Sequence, residues 1–423
     1  MPSALRPMPI GDTGGSIVNL REHNLSRILA ALVSSGPLSR AELASRCGLG
    51  VTALTKLIAD LRERDLVVEA AEVAAPGRGR PTSPIALAGH RWAVAGLMLD
   101  RRSIGMSVGT LDGTVLSFEE LPVPDGTDGI EAYLPHLAAA LERAVGICHA
   151  GGRQLLAVEL GIAGAADSGA GEVVRSIVNG WSRFPLRDTV HGMLGALPRG
   201  VAGTVLVNLD RETNYAMLAR IHRSGPEARE RTVAYLGGRY AVSGGIFSRS
   251  TVEHGSSGLA GEFGHVVVDP TGRQCWCGRR GCVETRLGLA GLYERCSGRE
   301  GYGSLAALAA KRGRMLDELL ARADEGDSLV LSQLGEAGRW LGITVDTVAA
   351  VINPQDFIVD GYVARLRRYV ELPARRQLDS IGALPSISAL RLRFEDGSEQ
   401  PLHRGMLLAA AQAVVAEPSI AAT

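Results

Sequence analysis

The apolar and polar positions of the chain fall into two textures. Between Asn24 and about Ala88 the pattern is helical and then extended. NLSRILAALVSSG places Leu25, Ile28, Leu29 and Leu32 on one face and is stopped by Gly36-Pro37. Ser39 caps a second helix, SRAELASRCG, and Glu42 three residues later completes a capping box. Gly48-Leu49-Gly50 turns the chain into a third helix, VTALTKLIADLRERD, striped by Leu54, Leu57, Ile58 and Leu61. LVVEAAEV and SPIALA follow as two short strands joined by APGRGRPT.

From Trp92 the texture changes to strand-like runs, WAVAGLML, SIGMSVG and TVLSFEEL, then a long helical stretch, IEAYLPHLAAALERAVGIC. LLAVELGIAG, GTVLVNL and TVAYLGG predict further strands alternating with helices. Leu334, Ala337, Leu341, Val345, Val348 and Ile352 keep helical spacing until Asn353-Pro354 stops the helix, and FIVDG is the strand after it. Two strand-rich halves, each closed by helices, predict an α/β domain of two lobes with a cleft between them.

A chain of 423 residues exceeds a usual single core and predicts more than one domain. The expected division is a disordered tail over 1–20, a winged helix-turn-helix over 21–90 and a two-lobed domain over 91–423. The 45 basic and 45 acidic residues give no global pull toward nucleic acid, so any such function is local. No apolar run approaches a membrane span, and MPSALRPMPIGDTGGS lacks the apolar segment of a signal peptide. A cytoplasmic protein without a membrane partner is the expectation.

Helix, helix, glycine turn, helix is the helix-turn-helix order, whose last helix enters the major groove. Val51, Thr52, Thr55 and Lys56 on that helix offer methyl, hydroxyl and ammonium groups to bases and phosphates. Ser39 and Arg40, at the start of the preceding helix, join the candidate set. Arg78 and Arg80 flank Gly79 at the tip of the wing, a slim basic shape that suits a minor groove. A small helical bundle with a solvated basic loop is the bland alternative. The capped helix, glycine turn, polar face and basic wing in one order favour DNA, as an operator with two-fold-related half-sites.

The stretch EFGHVVVDPTGRQCWCGRRGCVE, Glu262 to Glu284, holds one imidazole and three thiols: His265, Cys275, Cys277 and Cys282. That donor set suits tetrahedral structural Zn2+. With no secretory signal, such a cluster points to metal more than to a disulfide. Cys47, Cys148 and Cys296 sit in helical patterns and are expected to be small buried hydrophobes. Glu262 and Glu284, outside the ligand set, are polar enough to hold a small hydroxylated ligand or to support the zinc site.

GLAGEFGHVVVDPTGRQCWCGRRGCVET carries an ExGH element and a CxCGxxGCxE motif, and with GRGRP and SRAELASRCGL it resembles the ROK family (repressor, open reading frame, kinase). That resemblance covers nearly the whole chain. It implies a duplicated ribonuclease-H-like, actin-like core, a sugar or related metabolite held between the lobes, and a homodimer or homotetramer. It also implies that Glu262, His265 and Glu284 contact sugar hydroxyls, and that Asn179 in VNGWSRFPL faces the sugar. The family's kinases draw their base from an Asn-Asp-x-Asn element, which here reads Arg211-Glu212-Thr213-Asn214, with Asp210 as a less favoured alternative register. Their glycine-rich phosphate loops correspond to LMLDRRSIG and GGRYAVSGG, where arginines, Ser103, Tyr240 and Ala241 intrude. The expectation is a metabolite-responsive DNA-binding repressor that is not an enzyme; a sugar kinase with an appended DNA-binding domain is the alternative. Arg211, in place of an asparagine, is expected either to pair with Glu212 or to await an anionic effector.

Overall fold

The computed structural model describes residues 17–70, 83–197, 201–298, 305–381, 389–398 and 400–421. The N-terminal unit is α1 (Ile17–Ser35), α2 (Arg40–Cys47), α3 (Val51–Glu63) and an antiparallel pair, β1 (Val67–Glu69) with β2 (Ile85–Leu87). The first helix starts at Ile17, inside the segment expected to be a tail. Its first turns hold no glycine or proline to stop it, and Glu22 accepts from Arg64 Nη2 at 2.9 Å. The capping box forms: Ser39 N donates to Glu42 Oε2 at 2.9 Å, and Glu42 N to Ser39 Oγ at 3.3 Å. Gly48, at φ 57°, makes the left-handed turn between the second and third helices. Arg78 and Arg80 lie outside the described residues.

The larger part runs β3 (Trp92–Leu99), β4 (Ser103–Thr110), β5 (Val115–Pro122), α4 (Ile130–Ala150), β6 (Gln154–Ile162), β7 (Ala165–Asp167), β8 (Glu172–Ser176), β9 (Trp181–Phe184), α5 (Leu186–Gly195) and β10 (Val201–Arg211). Then α6 (Glu212–Arg223) carries the chain into β11 (Val233–Gly237), β12 (Ser243–Ser248) and β13 (Thr251–Val252). The second half continues with α7 (Val283–Leu287), α8 (Leu289–Ser297), α9 (Leu305–Asp324), α10 (Ser328–Ile352), β14 (Asp356–Val359), α11 (Gly361–Arg365), α12 (Arg367–Ile381), β15 (Arg391–Phe394) and α13 (Gln400–Ala416).

Two five-stranded sheets result, in the orders β5-β4-β3-β6-β10 and β13-β12-β11-β14-β15. In each, the first three strands of the half form an antiparallel meander and the last two add in parallel. The same order in both halves is the duplication that the resemblance implied. The first sheet is covered on one face by α4 and α5 through Leu137, Leu141, Val190 and Leu194. The second packs against α7, α8, α9, α10 and α12, with Leu334, Leu341 and Val345 of α10 fully buried.

α13 returns from the second half to cover the other face of the first sheet. It lies so close that a Cβ on Gly96 of β3 would stand 2.7 Å from Met406 Cβ, and one on Gly405 would stand 1.8 Å from the Tyr215 carbonyl oxygen of α6. The N-terminal unit shares this core: Leu25, Ile28 and Leu32 cluster with Trp92, Leu156, Leu407, Ala411 and Val414. Trp92 Nε1 also donates to Arg64 O at 2.8 Å. The boundary expected at residue 90 is therefore a change of architecture, with a single apolar core running across it. Among the described residues no helix is long and apolar enough to cross a membrane.

Glu159 on β6 is buried beneath this helix layer and accepts from Asn208 Nδ2 at 2.8 Å and from the Tyr215 hydroxyl at 2.7 Å. Burial, with the nearby Asp210 charge, pushes its carboxyl up to about 7. A raised carboxyl pKa contributes stability that is complete below the unfolded value, about 4.3, and is lost as pH rises through about 7, on the order of 3 kcal/mol in all. Glu159→Gln, whose amide can donate to the Tyr215 oxygen, should show a smaller drop in melting temperature between about pH 5 and pH 9 than wild type. Parallel pH profiles for the two proteins would refute this assignment.

Candidate effector cleft and metal cluster

The four predicted ligands converge. One ligand atom from each of His265, Cys275, Cys277 and Cys282 lies within 4.8 Å of the others, with Cys277 Sγ 3.6 Å from Cys282 Sγ and His265 Nδ1 3.8 Å from Cys275 Sγ. Zinc–sulfur bonds of about 2.3 Å at tetrahedral angles separate two sulfurs by about 3.8 Å, so the residues fit a tetrahedral ion. The cysteines are not joined as disulfides. The loop closes because Gly281 sits at φ 68° against Asp269, where an added Cβ would stand 1.4 Å from the carbonyl oxygen. His265 turns its Nε2 the other way, 4.0 Å from Glu262 Oε2, so one imidazole links the cluster to the cleft. The remaining cysteines, Cys47, Cys148 and Cys296, are buried as expected.

A cavity of about 520 Å³ opens beside the cluster and between the two lobes. The second lobe supplies Glu262, His265 and Trp276 to its wall, and the N-terminus of α6 supplies Arg211, Glu212 and Thr213. Arg211 does not pair with Glu212. Its Nη1 donates to Glu262 Oε1 at 2.6 Å and its Nη2 donates to the Ala260 carbonyl, so the carboxylate it meets is the one expected to read hydroxyls. Glu212 instead accepts from the Arg239 backbone N–H at 3.3 Å. Asp210 is committed to other partners: it accepts from Asn214 Nδ2 at 2.7 Å and lies 2.8 Å from His254 Nε2, a contact that raises the imidazole pKa.

Two expected effector contacts are not on the cavity wall. Asn179 is buried, its Nδ2 donating to Leu99 O at 3.2 Å. Glu284 is buried too, accepting from Val242 N at 2.6 Å. Both instead brace segments of the wall: Asn179 follows Val178, and Glu284 fixes Val242. Three wall residues were missed from the sequence. Trp276, 45 % exposed, meets His265 edge-on with ring centroids 4.5 Å apart, and an aromatic inside a CxC motif was the available signal. Arg279 lies within the same loop, while Arg175 on β8 had no motif to mark it.

The two segments that match phosphate loops touch each other. Asp100, in the turn after β3, accepts from Arg239 Nη1 at 2.7 Å and from the Tyr240 hydroxyl, both from the turn after β11. Its other oxygen accepts from Arg101 N at 2.6 Å. The neighbouring cavity, lined by Glu212, Arg239, Asp360 and Arg365, measures about 90 Å³. Ligand sites run from about 300 Å³ upward.

On the N-terminal unit, Val51, Thr52, Thr55 and Lys56 are all exposed, with Val51 at 74 %. Thr55 Oγ1 donates within the helix to Val51 O at 2.8 Å. Ser39 is occupied by the capping box, and Arg40 is paired with Glu69 at 2.8 Å. Among the described residues of the candidate set, the exposed face of α3 is thus the part left open.

The family model described as "ROK family" matches residues 94–382. The protein belongs to the ROK family. Among its relatives, the DNA-binding transcriptional dual regulator NagC of Escherichia coli (strain K12) is 26 % identical over 370 residues, 85 % of this chain and 85 % of NagC. The glucokinase of Halalkalibacterium halodurans is 27 % identical over 321 residues, 73 % of this chain and 89 % of that enzyme. In fold, the chain matches a ROK family transcriptional regulator, a homologue of the E. coli MLC protein, with a TM-score of 0.78 at 20 % identity, covering 96 % of this chain and 100 % of that one. These ROK relatives thus include transcriptional regulators and sugar kinases.

Proposed function

We propose that the protein is a DNA-binding transcriptional regulator, a repressor, whose ROK domain senses a sugar or related metabolite and has lost ATP turnover. The observation that carries this reading is an N-terminal helix-turn-helix, the outer face of its third helix exposed, sharing one apolar core with the lobe that walls the cleft. Similarity to NagC over 85 % of the chain supports it. Residues 21–90 act as the DNA-binding unit, the wing with Arg78 and Arg80 included, and 91–423 as the sensor and the homodimer or homotetramer contact. The His265–Cys275–Cys277–Cys282 cluster holds a structural zinc, and these reduced thiols suit a cytoplasmic setting.

Loss of turnover is supported by the clasp between Asp100 and Arg239–Tyr240 and by the small cavity beside it, which leave little room for nucleotide phosphates. A kinase reading is favoured by the glucokinase relatives and by the ROK sugar kinases that share this fold. ATP-dependent phosphorylation of hexoses by the purified protein would establish it; the proposal expects none above background.

The DNA reading is tested by selection of binding sites from the DNA upstream of its own gene. Wild type should retain a site with two-fold symmetry, with affinity falling steeply as salt rises. Thr52→Glu with Lys56→Glu, both on the exposed face of α3, should lose it while keeping the melting temperature. Retention of full affinity by that double variant would reject α3 as the reading helix. Deleting the unit would be a poorer test, since it would expose Trp92 and Leu407 of the shared core.

A further inference from the structure

The charges around the cleft are arranged unevenly, and the asymmetry bears on what the cleft accepts. On the inner wall, Arg211 and Glu262 neutralise each other at 2.6 Å, and Glu212 receives the Arg239 N–H. Two further arginines line the same cavity, both exposed: Arg175 from β8 of the first lobe and Arg279 from the metal loop of the second. Arg279 reaches only the His265 carbonyl, at 3.4 Å, and Arg175 has no side-chain partner among the described residues. Arg211, 1 % exposed, also keeps a buried Nε without an acceptor. The N-terminus of α6, a helix of 12 residues with no side-chain cap, opens onto the cavity through Glu212 and Thr213. A helix N-terminus and unpaired guanidinium groups all favour negative charge.

We infer that the cleft takes a polyhydroxylated ligand that carries an anionic group, a sugar phosphate or a sugar acid. Its hydroxyls meet Glu262 and His265, and its charge lies between Arg175 and Arg279. Because those two arginines come from opposite lobes, the anion ties the lobes together, and the metal loop acts as part of the sensor. The inference rests on the reading of this cavity as the effector site.

Calorimetric titration of the full chain with glucose, glucose 6-phosphate, glucuronate and inorganic phosphate tests it, repeated for Arg175→Gln and Arg279→Gln. One or both charged sugars should bind about tenfold or more tighter than glucose, and each variant should narrow that ratio. Whether phosphate or carboxylate is preferred follows from which of the two binds more tightly. Equal affinity for glucose and the charged sugars overturns the inference while leaving the cavity a sugar site. A preference that survives both substitutions overturns the arginine assignment. Inorganic phosphate binding as tightly as glucose 6-phosphate overturns the polyol part, and binding of none of the four overturns both the inference and the effector-site reading.

Discussion

Cys282→Ser protein should contain almost no zinc and should melt roughly 10 °C or more below wild type. Cys282 is fully buried, stands immediately before α7 and lies 3.6 Å from Cys277 Sγ. A zinc ion held there would supply much of the cohesion of the loop from Val266 to Cys282, which adds only Val266 and Val268 to the apolar core of the second lobe. Between Val266 and Cys282 the segment contributes bridge, bend and turn contacts but no strand or helix. Because metal binding to such sites is coupled to folding, removing one thiolate should release this loop, and with it His265 and Glu262 on the cleft wall. Elemental analysis and thermal melts of both proteins check this. Wild type purified without metal, yet melting as high as the zinc-loaded form, would contradict it.

Arg220→Ala should destabilise the protein by about 3–5 kcal/mol, the cost of leaving buried carboxylates without their cation. The Arg220 side chain is fully buried on α6. Its Nε donates to Asp360 Oδ2 at 2.8 Å and its Nη2 donates to Asp396 Oδ1 at 2.6 Å, with Glu395 3.5 Å from Nη1. Asp360 follows β14 and also accepts from the Tyr235 hydroxyl of β11 at 2.9 Å, so the guanidinium joins α6 to the second sheet. Hydrogen bonding to Arg220 holds the Asp396 carboxyl well below the usual carboxylate range. A depressed carboxyl pKa gives stability that is present above the unfolded value, about 3.9, and lost as pH falls below it. The Arg220→Ala protein should therefore be less stable at neutral pH and show a shallower acid transition. Chemical denaturation at pH 7 and pH 3 measures both; an unchanged midpoint at pH 7 would show the network to be dispensable.

What was legible in the sequence was what local chemistry determines. The stripe Leu54, Leu57, Ile58 and Leu61 is buried as its spacing required, and the Ser39–Glu42 box forms because both partners lie within one helical turn. The metal ligands converge because three of the four lie within eight residues, in a loop turned by glycine. Long-range pairing was not legible. Arg211 and Glu262 are 51 positions apart, and nothing near Arg211 marks Glu262 over Glu212 as its partner. Glu212 is turned away because it opens α6, which aims its carboxylate at the Arg239 amide. Asn179 and Glu284 sat in the expected segments, but their side chains turn into the protein to satisfy backbone groups of neighbouring segments. The shared core escaped notice for a similar reason. Leu407, Ala411 and Val414 lie at helical spacing, which alone does not say what they face; only the return of α13 to the first sheet shows that they meet Leu25, Ile28 and Trp92.

This core also supplies a physical link for regulation. Ala163, Val178 and Tyr240 on the cavity wall pack with Tyr215 and Met406, and α13 continues from Met406 to the residues beneath α1. A ligand that draws the lobes together would displace α13 and the attached helix-turn-helix as one body, changing the spacing of two reading helices in an oligomer. The most direct measurement is the affinity of the full chain for its upstream DNA, followed by fluorescence anisotropy, with and without a saturating ligand shown by calorimetry to occupy the cleft. The account predicts a change of about tenfold or more in DNA affinity, abolished by a cleft variant such as Glu262→Gln that no longer binds that ligand. DNA affinity that stays the same with the cleft filled would contradict it.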